Sequence, residues 1–324
     1  MTGPPGRLLH LGSVVVDVVL EIPALPPPGG DVLARASMAA AGGGFNVMAA
    51  AVRHGLPVRY AGPHGTGPFA SLARAALAEA GIELVQPATA GQDTGFVIAI
   101  TDQSGERTFI TSQGAEAVLA SSALAGVRAG PGEAVYLSGY GLAYPGSRDA
   151  LLGWLARLDQ ASLVFFDPGP LVAGIPAPAL RQALGRADWL TCSASEAAGL
   201  TGQRDPAAAL AALAGSARRG VVVRTGPGGC LLGQAGQPPA HIPGFPVQAV
   251  DTNGAGDTHA GTFIAALARG AAPAAAARTA NAAAALSVTR RGPATAPDAA
   301  ELARFLAAGR SHRTGEPPGG APPG

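Results

Sequence analysis

Short, uniformly apolar segments alternate with helical ones along most of this 324-residue chain, and that alternation limits the possible folds more than any other feature. Examples of the apolar segments are AVYLSG, LVFFD, WLTCS and GVVVRTG. Strands that are apolar on both faces occur in parallel sheets covered by helices on both sides. The predicted fold class is therefore α/β, with a mostly parallel central sheet.

Two β-type segments do not fit that sheet. One is the second half of RLLHLGSVVVDVVLEI, which otherwise predicts a single strand, and the other is a hairpin at 94–112 with its turn at Gln103-Ser104-Gly105. They predict a small β lid with strands within 13–40 and 94–112. One domain is expected over residues 1–310. The tail 311–324 has no apolar content to bury and is predicted to be disordered.

The composition excludes several classes of protein. A net charge of +1 gives no reason to expect nucleic acid or an acidic membrane as a partner. Two cysteines form neither a disulfide framework nor a zinc motif, and no signal peptide or 18-residue apolar run is present, so a cytoplasmic protein is expected. All 22 basic residues are arginine. A P-loop, a protein-kinase fold and Schiff-base chemistry each require lysine and are excluded.

The segment VDTNGAGDTHAG, residues 250–261, joins a glycine-rich turn to an alanine-rich helix. Gly254, Ala255 and Gly256 have little or no side chain, so their N–H groups can approach an anion closely at a helix start. Asp257 would repel that anion unless it takes the proton from the group that attacks it. The alternative is an ordinary turn with Asp257 as a helix cap, and the segment taken alone favours it.

DTNGAGDTHAG resembles the C-terminal signature of the ribokinase-like (PfkB) carbohydrate kinases, in which an Asp and a short turn precede a Gly-Ala-Gly-Asp core. The resemblance implies a ribokinase-like three-layer sandwich with a small β lid. It also implies that Asp257 is the catalytic base, and that Gly254, Ala255 and Gly256 form an anion hole for the phosphoryl group of ATP.

AAGGGFNVMAAAVRHG, residues 40–55, resembles the N-terminal signature of the same family, a double glycine followed by Asn and an alanine-rich helix. The resemblance implies that Gly42, Gly43 and Asn46 contact the sugar. Asp17, inside the apolar segment LGSVVVD, is costly to bury unless it faces a cleft. In the family an Asp at this position accepts hydrogen bonds from sugar hydroxyls. Phe45 stands where a smaller residue is common in ribokinases, so the identity of the sugar stays open.

The nucleotide side is implied by three further resemblances. In CSASEAAGLTG, Glu196 matches the glutamate that organises magnesium and its waters, and Ser193 stands where asparagine is usual. VVVRTGPGGC resembles the strand and turn that lie along ATP, and ANAAAALSVTRRGPATAP resembles the segment that closes the adenine pocket. The matching residues in these last two segments are Arg224, Gly226, Gly229 and Asn281.

The same resemblance implies a loop that binds a monovalent cation, with potassium as the expected ion. Its residues come from two segments, one just before the anion hole and one near residue 290. They are Asp251, Asn253, Ser287, Arg290 and Gly292.

The predicted function is ATP-dependent phosphorylation of a hydroxyl on a small sugar or sugar-like molecule, with magnesium bridging the nucleotide phosphates. A lid is expected to close over the sugar, because water must not attack ATP. In the family such a lid often also forms a homodimer interface. Two alternatives stay open, a nucleoside kinase of the same fold and a non-catalytic sugar-binding relative. The latter predicts loss of the base, whereas Asp257 is intact.

Overall fold

The computed structural model describes residues 4–103, 107–130 and 132–311. The strands are β1 (Arg7–Leu11), β2 (Val14–Glu21), β3 (Ala36–Gly43), β4 (Val58–Tyr60), β5 (Glu83–Leu84), β6 (Phe96–Thr101), β7 (Arg107–Ser112), β8 (Glu133–Ser138), β9 (Leu163–Asp167), β10 (Trp189–Ser193), β11 (Gly220–Arg224), β12 (Gly229–Gln234) and β13 (Ala240–Pro243). The helices are α1 (Gly44–Arg53), α2 (Pro68–Glu79), α3 (Gly139–Ala143), α4 (Pro145–Arg157), α5 (Ala177–Arg186), α6 (Ala194–Thr201), α7 (Pro206–Ala212), α8 (Ala255–Ala268), α9 (Pro273–Ser287) and α10 (Ala299–Ser311).

The larger sheet has the strand order β13-β12-β11-β10-β9-β8-β1-β4-β5 within the described residues. Its pairs are parallel from β5 through β11, and only the two pairs that involve β12 are antiparallel. The carboxyl ends of the parallel strands therefore lie along one edge, where ligands bind in folds of this type. The predicted α/β class with a mostly parallel sheet is confirmed.

Helices cover both faces of this sheet and make three layers. Successive strand residues point to opposite faces, so Leu8 joins one apolar cluster and Leu9 the other. The first cluster includes side chains of α1, α2, α8 and α9, and the second includes side chains of α4, α5, α6 and α7. Burial on both faces explains why the parallel strands show no polar alternation.

The smaller sheet has the order β3-β2-β6-β7. The prediction of one strand through RLLHLGSVVVDVVLEI is wrong, because β1 pairs within the large sheet whereas β2 pairs with β3 and β6. The chain leaves the large sheet at Gly12, where a Cβ would lie 2.6 Å from Cε1 of His10. The β6–β7 pair is antiparallel. Its predicted turn residues Ser104 and Gly105 lie outside the described residues.

Strand β3 was not predicted, because its C-terminal half is the glycine segment that reads as a turn. It runs into α1 through Gly43, whose φ of 59° is accessible mainly to glycine. At the other end of the chain, α10 ends at Ser311, and the remainder of the predicted tail, 312–324, lies outside the described residues. In the part of the chain that the structure describes, no helix has the length and apolarity needed to span a bilayer.

Candidate active site

The smaller sheet and the segment just before α8 are joined by a hydrogen bond. Asp17, in the middle of β2, accepts this bond at Oδ2 from Nδ2 of Asn253 at 3.0 Å. Its other carboxylate oxygen has no hydrogen-bond partner among the described residues. Gly42 is opposite in β3, where a Cβ would lie 2.4 Å from the Asp17 carboxylate. Glycine at this position is therefore required by the position of Asp17.

A second carboxylate–amide pair lies at the N-terminus of α8. Asp257, in the first turn of the helix, accepts a hydrogen bond at Oδ2 from Nδ2 of Asn46 at 3.0 Å. Gly254 precedes the helix with a φ of 72°, and a Cβ there would lie 3.2 Å from Asn46 Nδ2. The two glycine-rich segments, which are 211 positions apart, thus meet at one point.

Both carboxylates are more basic than ordinary aspartates. Burial is the main cause for Asp257, and although the Asn46 hydrogen bond opposes it, the nearby Asp167 charge helps to raise the pKa of Asp257 to about 6. Burial likewise raises the pKa of Asp17 to about 6, against the effect of its bond from Asn253. A carboxylate with such a pKa is ionised at neutral pH yet accepts a proton more readily than a solvated one.

The first turn of α8 also presents backbone N–H groups. Helices leave their first amides without intrahelical acceptors, and the helix dipole adds partial positive charge there. The N–H of Ala255 makes only a long bond of 3.4 Å, to the carbonyl of Thr252. Gly254, Ala255 and Gly256 leave this end of the helix without bulky side chains. The site therefore combines helix-start amides, of the kind that can bind an anion, with a basic carboxylate.

A buried ion cluster lies next to this turn, at the carboxyl ends of three neighbouring strands. Arg224 ends β11, and its Nη1 donates to Asp167 Oδ2 at 3.0 Å and to Thr191 Oγ1 at 3.1 Å. Its Nη2 donates to Glu196 Oε2 at 3.3 Å. Glu196 also accepts a hydrogen bond from the backbone N–H of Ser193 at 2.7 Å. The side chain of Ser193 in turn caps α6 by accepting from the backbone N–H of Glu196. The register of parallel strands β9, β10 and β11 brings these groups together.

A family model described as pfkB family carbohydrate kinase matches residues 6–300. The chain belongs to the pfkB family of carbohydrate kinases. Its members are phosphotransferases with an alcohol group as acceptor, so the predicted enzyme class is confirmed.

Known proteins similar to this pfkB kinase agree with that assignment. An uncharacterised sugar kinase of Escherichia coli, YegV, is 33% identical over 302 residues, which are 91% of this chain and 92% of that one. The ribokinase of Haemophilus influenzae is 30% identical over 92% of this chain and 98% of its own. A putative ribokinase II of E. coli, solved with ATP and Mg²⁺, superposes with a TM-score of 0.79 at 22% identity, covering 94% and 99% of the two chains. The last comparison shows the shared fold.

Of the residues expected on the nucleotide side of this pfkB kinase, Gly229 and Asn281 are in contact with the protein's own backbone, and Gly226 has open space beside it. Gly229 is enclosed by its own chain, since a Cβ would lie 2.2 Å from the carbonyl oxygen of Ile242. Asn281 donates to the carbonyls of Ile242 and Pro243 at 2.9 and 3.2 Å, and its Oδ1 contacts His259 Nε2 at 3.1 Å. Asn281 thus fixes β13 against α9. Gly226, with a φ of 63°, begins the short turn after β11 and has open space beside it.

The expected cation loop of the pfkB kinase is assembled around Asp251. Its two carboxylate oxygens accept backbone N–H bonds from Asn253 at 2.8 Å and from Gly292 at 2.9 Å. The carbonyl of Ser287 lies in the same region and accepts from Thr295 Oγ1 at 3.0 Å. The guanidinium of Arg290 is engaged elsewhere, since it pairs with Glu301 and donates to the carbonyl of Thr295. The two predicted segments are therefore adjacent in space.

Sequence reasoning missed Asp167 and Thr191. Asp167 is the final residue of the apolar segment LVFFD, and a carboxylate at the carboxyl end of a parallel strand is a signal that could have found it. Thr191 is buried inside β10 and has no such signal. Among the described residues there is no group of three or more acidic, His or Cys side chains suited to hold a metal ion unaided.

Proposed function

We propose that this kinase transfers the γ-phosphoryl group of ATP to a hydroxyl of a small carbohydrate, with Asp257 as the general base. The observation that carries this proposal is the hydrogen bond from Asn46 to Asp257 at the start of α8. It joins the proposed acceptor segment to a basic carboxylate beside the amides that start α8. Phosphoryl transfer depends mainly on positioning and charge stabilisation, which these groups supply.

Asp17, Gly42, Gly43 and Asn46 hold the acceptor in this proposal. Asn253 and Asn46 each engage one oxygen of a carboxylate, and each carboxylate keeps a second oxygen without a partner among the described residues. A sugar hydroxyl can donate to that oxygen at Asp17, while the attacking hydroxyl donates at Asp257. Gly42 makes room for the Asp17 carboxylate, and Gly43, where a Cβ would lie 3.0 Å from the carbonyl oxygen of Ser13, lets β3 pass close to that segment.

In the transfer step the acceptor hydroxyl oxygen forms a bond to the γ-phosphorus and its proton passes to Asp257. The bond between the γ-phosphorus and the bridging oxygen breaks, and ADP leaves. The N–H groups of Gly254, Ala255, Gly256 and Asp257 stabilise the charge on the transferred group. Magnesium, when bound to the nucleotide, neutralises phosphate charge. Glu196 fits a role in holding it through water, because one of its oxygens has no partner among the described residues.

The ATP side is proposed to extend from Ser193 and Glu196 past Arg224 to the turn that begins at Gly226. Gly229 and Asn281 support this wall by fixing β12, β13 and α9, as their contacts with Ile242 indicate. Both Nδ2 hydrogens of Asn281 are used, so donating to adenine would require it to give up a hydrogen bond that it already makes. We therefore assign it to positioning of the wall.

A monovalent cation, potassium, is proposed at the loop of Asp251, Asn253, Ser287, Arg290 and Gly292. The observations that support it are the Asp251 carboxylate between the two segments and the Ser287 carbonyl nearby. The residues fit such an ion, since a carboxylate offsets the cost of removing it from water and carbonyls complete its shell. The cation would fix the turn that precedes Gly254.

The kinase unit is proposed to span residues 1–310, with the smaller sheet as its lid and 311–324 outside it. The face of the lid opposite Asp17 carries Leu20, Ile98 and Ile110, which are partly or largely exposed. Exposed apolar sheet faces favour association, so a homodimer through the lid is proposed. Multi-angle light scattering of Ile110→Asp beside wild type tests it, and an unchanged dimer or a monomeric wild type would contradict it.

A cytoplasmic location is proposed as well. Cys192 and Cys230 are buried free thiols, which suits a reducing compartment, and the reaction consumes ATP. Fractionation of the source cells would test this directly.

The kinase proposal is tested by measuring ADP formation with a panel of sugars, sugar acids and nucleosides, beside an Asp257→Asn control. We expect a sugar or sugar acid to give the highest kcat/KM and the control to give almost none. Activity with nucleosides alone would replace the proposal with the nucleoside kinase. Acceptor binding without ADP formation in the wild type would indicate a non-catalytic relative.

A further inference from the structure

We propose that the Nε–Nη2 edge of Arg224 binds the phosphoryl group during transfer, as an arginine supplied by the chain itself. This inference rests on the proposed kinase reaction. It assigns to Arg224 a contact with the reacting group, beyond a general place along the nucleotide.

The donors of Arg224 are only partly used by the protein. A guanidinium has five N–H donors. Three are engaged: two on Nη1, with Asp167 and Thr191, and one on Nη2, with Glu196. The N–H of Nε and the second N–H of Nη2 have no partner among the described residues. Two adjacent N–H groups on one edge of a guanidinium are the arrangement that binds phosphate through two bonds.

The guanidinium lies against the first turn of α8, on the side of its Nε and Nη2 atoms. A Cβ on Gly256 would lie 3.4 Å from Nε and 3.5 Å from Nη2 of Arg224. The glycine therefore leaves room for the guanidinium to sit beside the first amides of α8. A phosphoryl group held by those amides next to Asp257 would have the unused Arg224 donors on its flank.

The guanidinium is held in this orientation before any ligand arrives. The side chain of Arg224 is 12% exposed, and Asp167 and Glu196 pair with it at 3.0 and 3.3 Å. Burial by itself lowers the pKa of Arg224, but the two carboxylates more than offset that effect and keep the group charged. A fixed cation loses little freedom on binding and needs no reorganisation during the reaction.

A purely structural role explains these observations less well. Burying an ion cluster is weak evidence for stabilisation, since its desolvation offsets much of the attraction. If Arg224 had only a structural role, Asp167, Glu196 and Thr191 would be expected to accept hydrogen bonds from all five of its N–H donors. Two of those donors are left without a partner among the described residues. The chain contains no lysine, so within its own side chains arginine is the fixed, permanently charged cation available for this step. Arginine contacts of this kind accelerate phosphoryl transfer by about 10³–10⁵-fold in other enzymes.

The test uses Arg224→Lys and Arg224→Gln in the full-length protein, with Arg186→Gln as the matched control. Arg186 is also buried and ion-paired, with Asp188 at 3.5 Å, but lies at the opposite end of β10 from the site. We expect kcat to fall by about 10²–10³-fold in Arg224→Gln. Arg224→Lys keeps the charge but lacks the paired edge, so it should fold normally and lose at least about tenfold. The control should keep wild-type kcat.

Calorimetric binding separates a phosphoryl contact from a structural one. Arg224→Lys should bind a non-hydrolysable β,γ-methylene ATP analogue at least about tenfold more weakly than wild type, whereas its affinity for ADP should change by less than about threefold. The reason is that the lost charged hydrogen bond is one to the γ-phosphate, which ADP does not have. A wild-type kcat in Arg224→Lys, or equal losses for both nucleotides, would overturn the inference. A wild type without activity on any acceptor would instead overturn the proposed function.

Discussion

Asp257→Asn is expected to make the protein more stable while it removes its activity. The ionised carboxylate is held in a partly buried site near Asp167, where its charge is disfavoured. Asparagine has nearly the same shape and can still accept the hydrogen bond from Asn46. The substitution therefore removes an unfavourable charge at little cost in packing, and removes the proposed proton acceptor of the reaction as well.

The size of the effect follows from the pKa. Burial first, with the Asp167 charge, raises the pKa of Asp257 from 3.8 in a model peptide to about 6 in the folded protein. The folded state binds this proton more tightly than the unfolded chain. The free energy of unfolding therefore falls as the pH rises from about 4 to about 6, and the loss is complete above about pH 6 and absent below about pH 4. The pKa difference sets a ceiling of about 3 kcal/mol, and partial exposure to solvent reduces the expected gain to about 1–2 kcal/mol.

Urea unfolding of wild type and Asp257→Asn at about pH 8 and about pH 4 measures this gain. The variant should be more stable at the higher pH and equal to wild type at the lower one. Turnover at saturating substrates should fall by about 10²–10⁴-fold. Asp149→Asn, which changes an exposed aspartate on α4, is the control and should alter neither quantity. Loss of stability at about pH 8, or more than roughly a tenth of wild-type turnover, would refute the reasoning.

Three further outcomes are expected. Asp17→Ala should raise the KM for the acceptor far more than the KM for ATP, because Asp17 mainly supplies ground-state binding; equal changes in both, or a large loss of folding stability, would indicate a structural residue. The kcat/KM for the acceptor should fall below about pH 6, more steeply than for one proton, since Asp17 and Asp257 must both be ionised and each has a pKa of about 6; a flat profile down to about pH 5 would contradict both assignments. Turnover should be higher in potassium than in sodium or lithium chloride at constant ionic strength, and identical rates in all three would remove the proposed site at Asp251.

Much of the fold could be predicted because local sequence determines it. Uniformly apolar strands alternating with helices define a covered parallel sheet, and the structure contains one. Glycines marked element boundaries correctly at Gly55 and Gly81, where φ is positive. The strand β3 escaped prediction for a local reason too, since its alanines and glycines have no β propensity and become a strand only by pairing with β2.

The candidate site divides in the same way. The sequence placed Asp257 at a helix start after a glycine turn, because turn and helix are both local structures. The N-terminal family signature pointed to Asn46, and the position of a carboxylate inside an apolar segment pointed to Asp17. Only the tertiary structure decided which side chains meet. Asn253 reaches Asp17 across 236 positions, and Arg224 reaches Asp167 across 57. Such pairings depend on strand order and on the packing of the lid, which no single segment encodes. The ion cluster, and the edge of Arg224 that it leaves unused, exist because parallel strands end side by side.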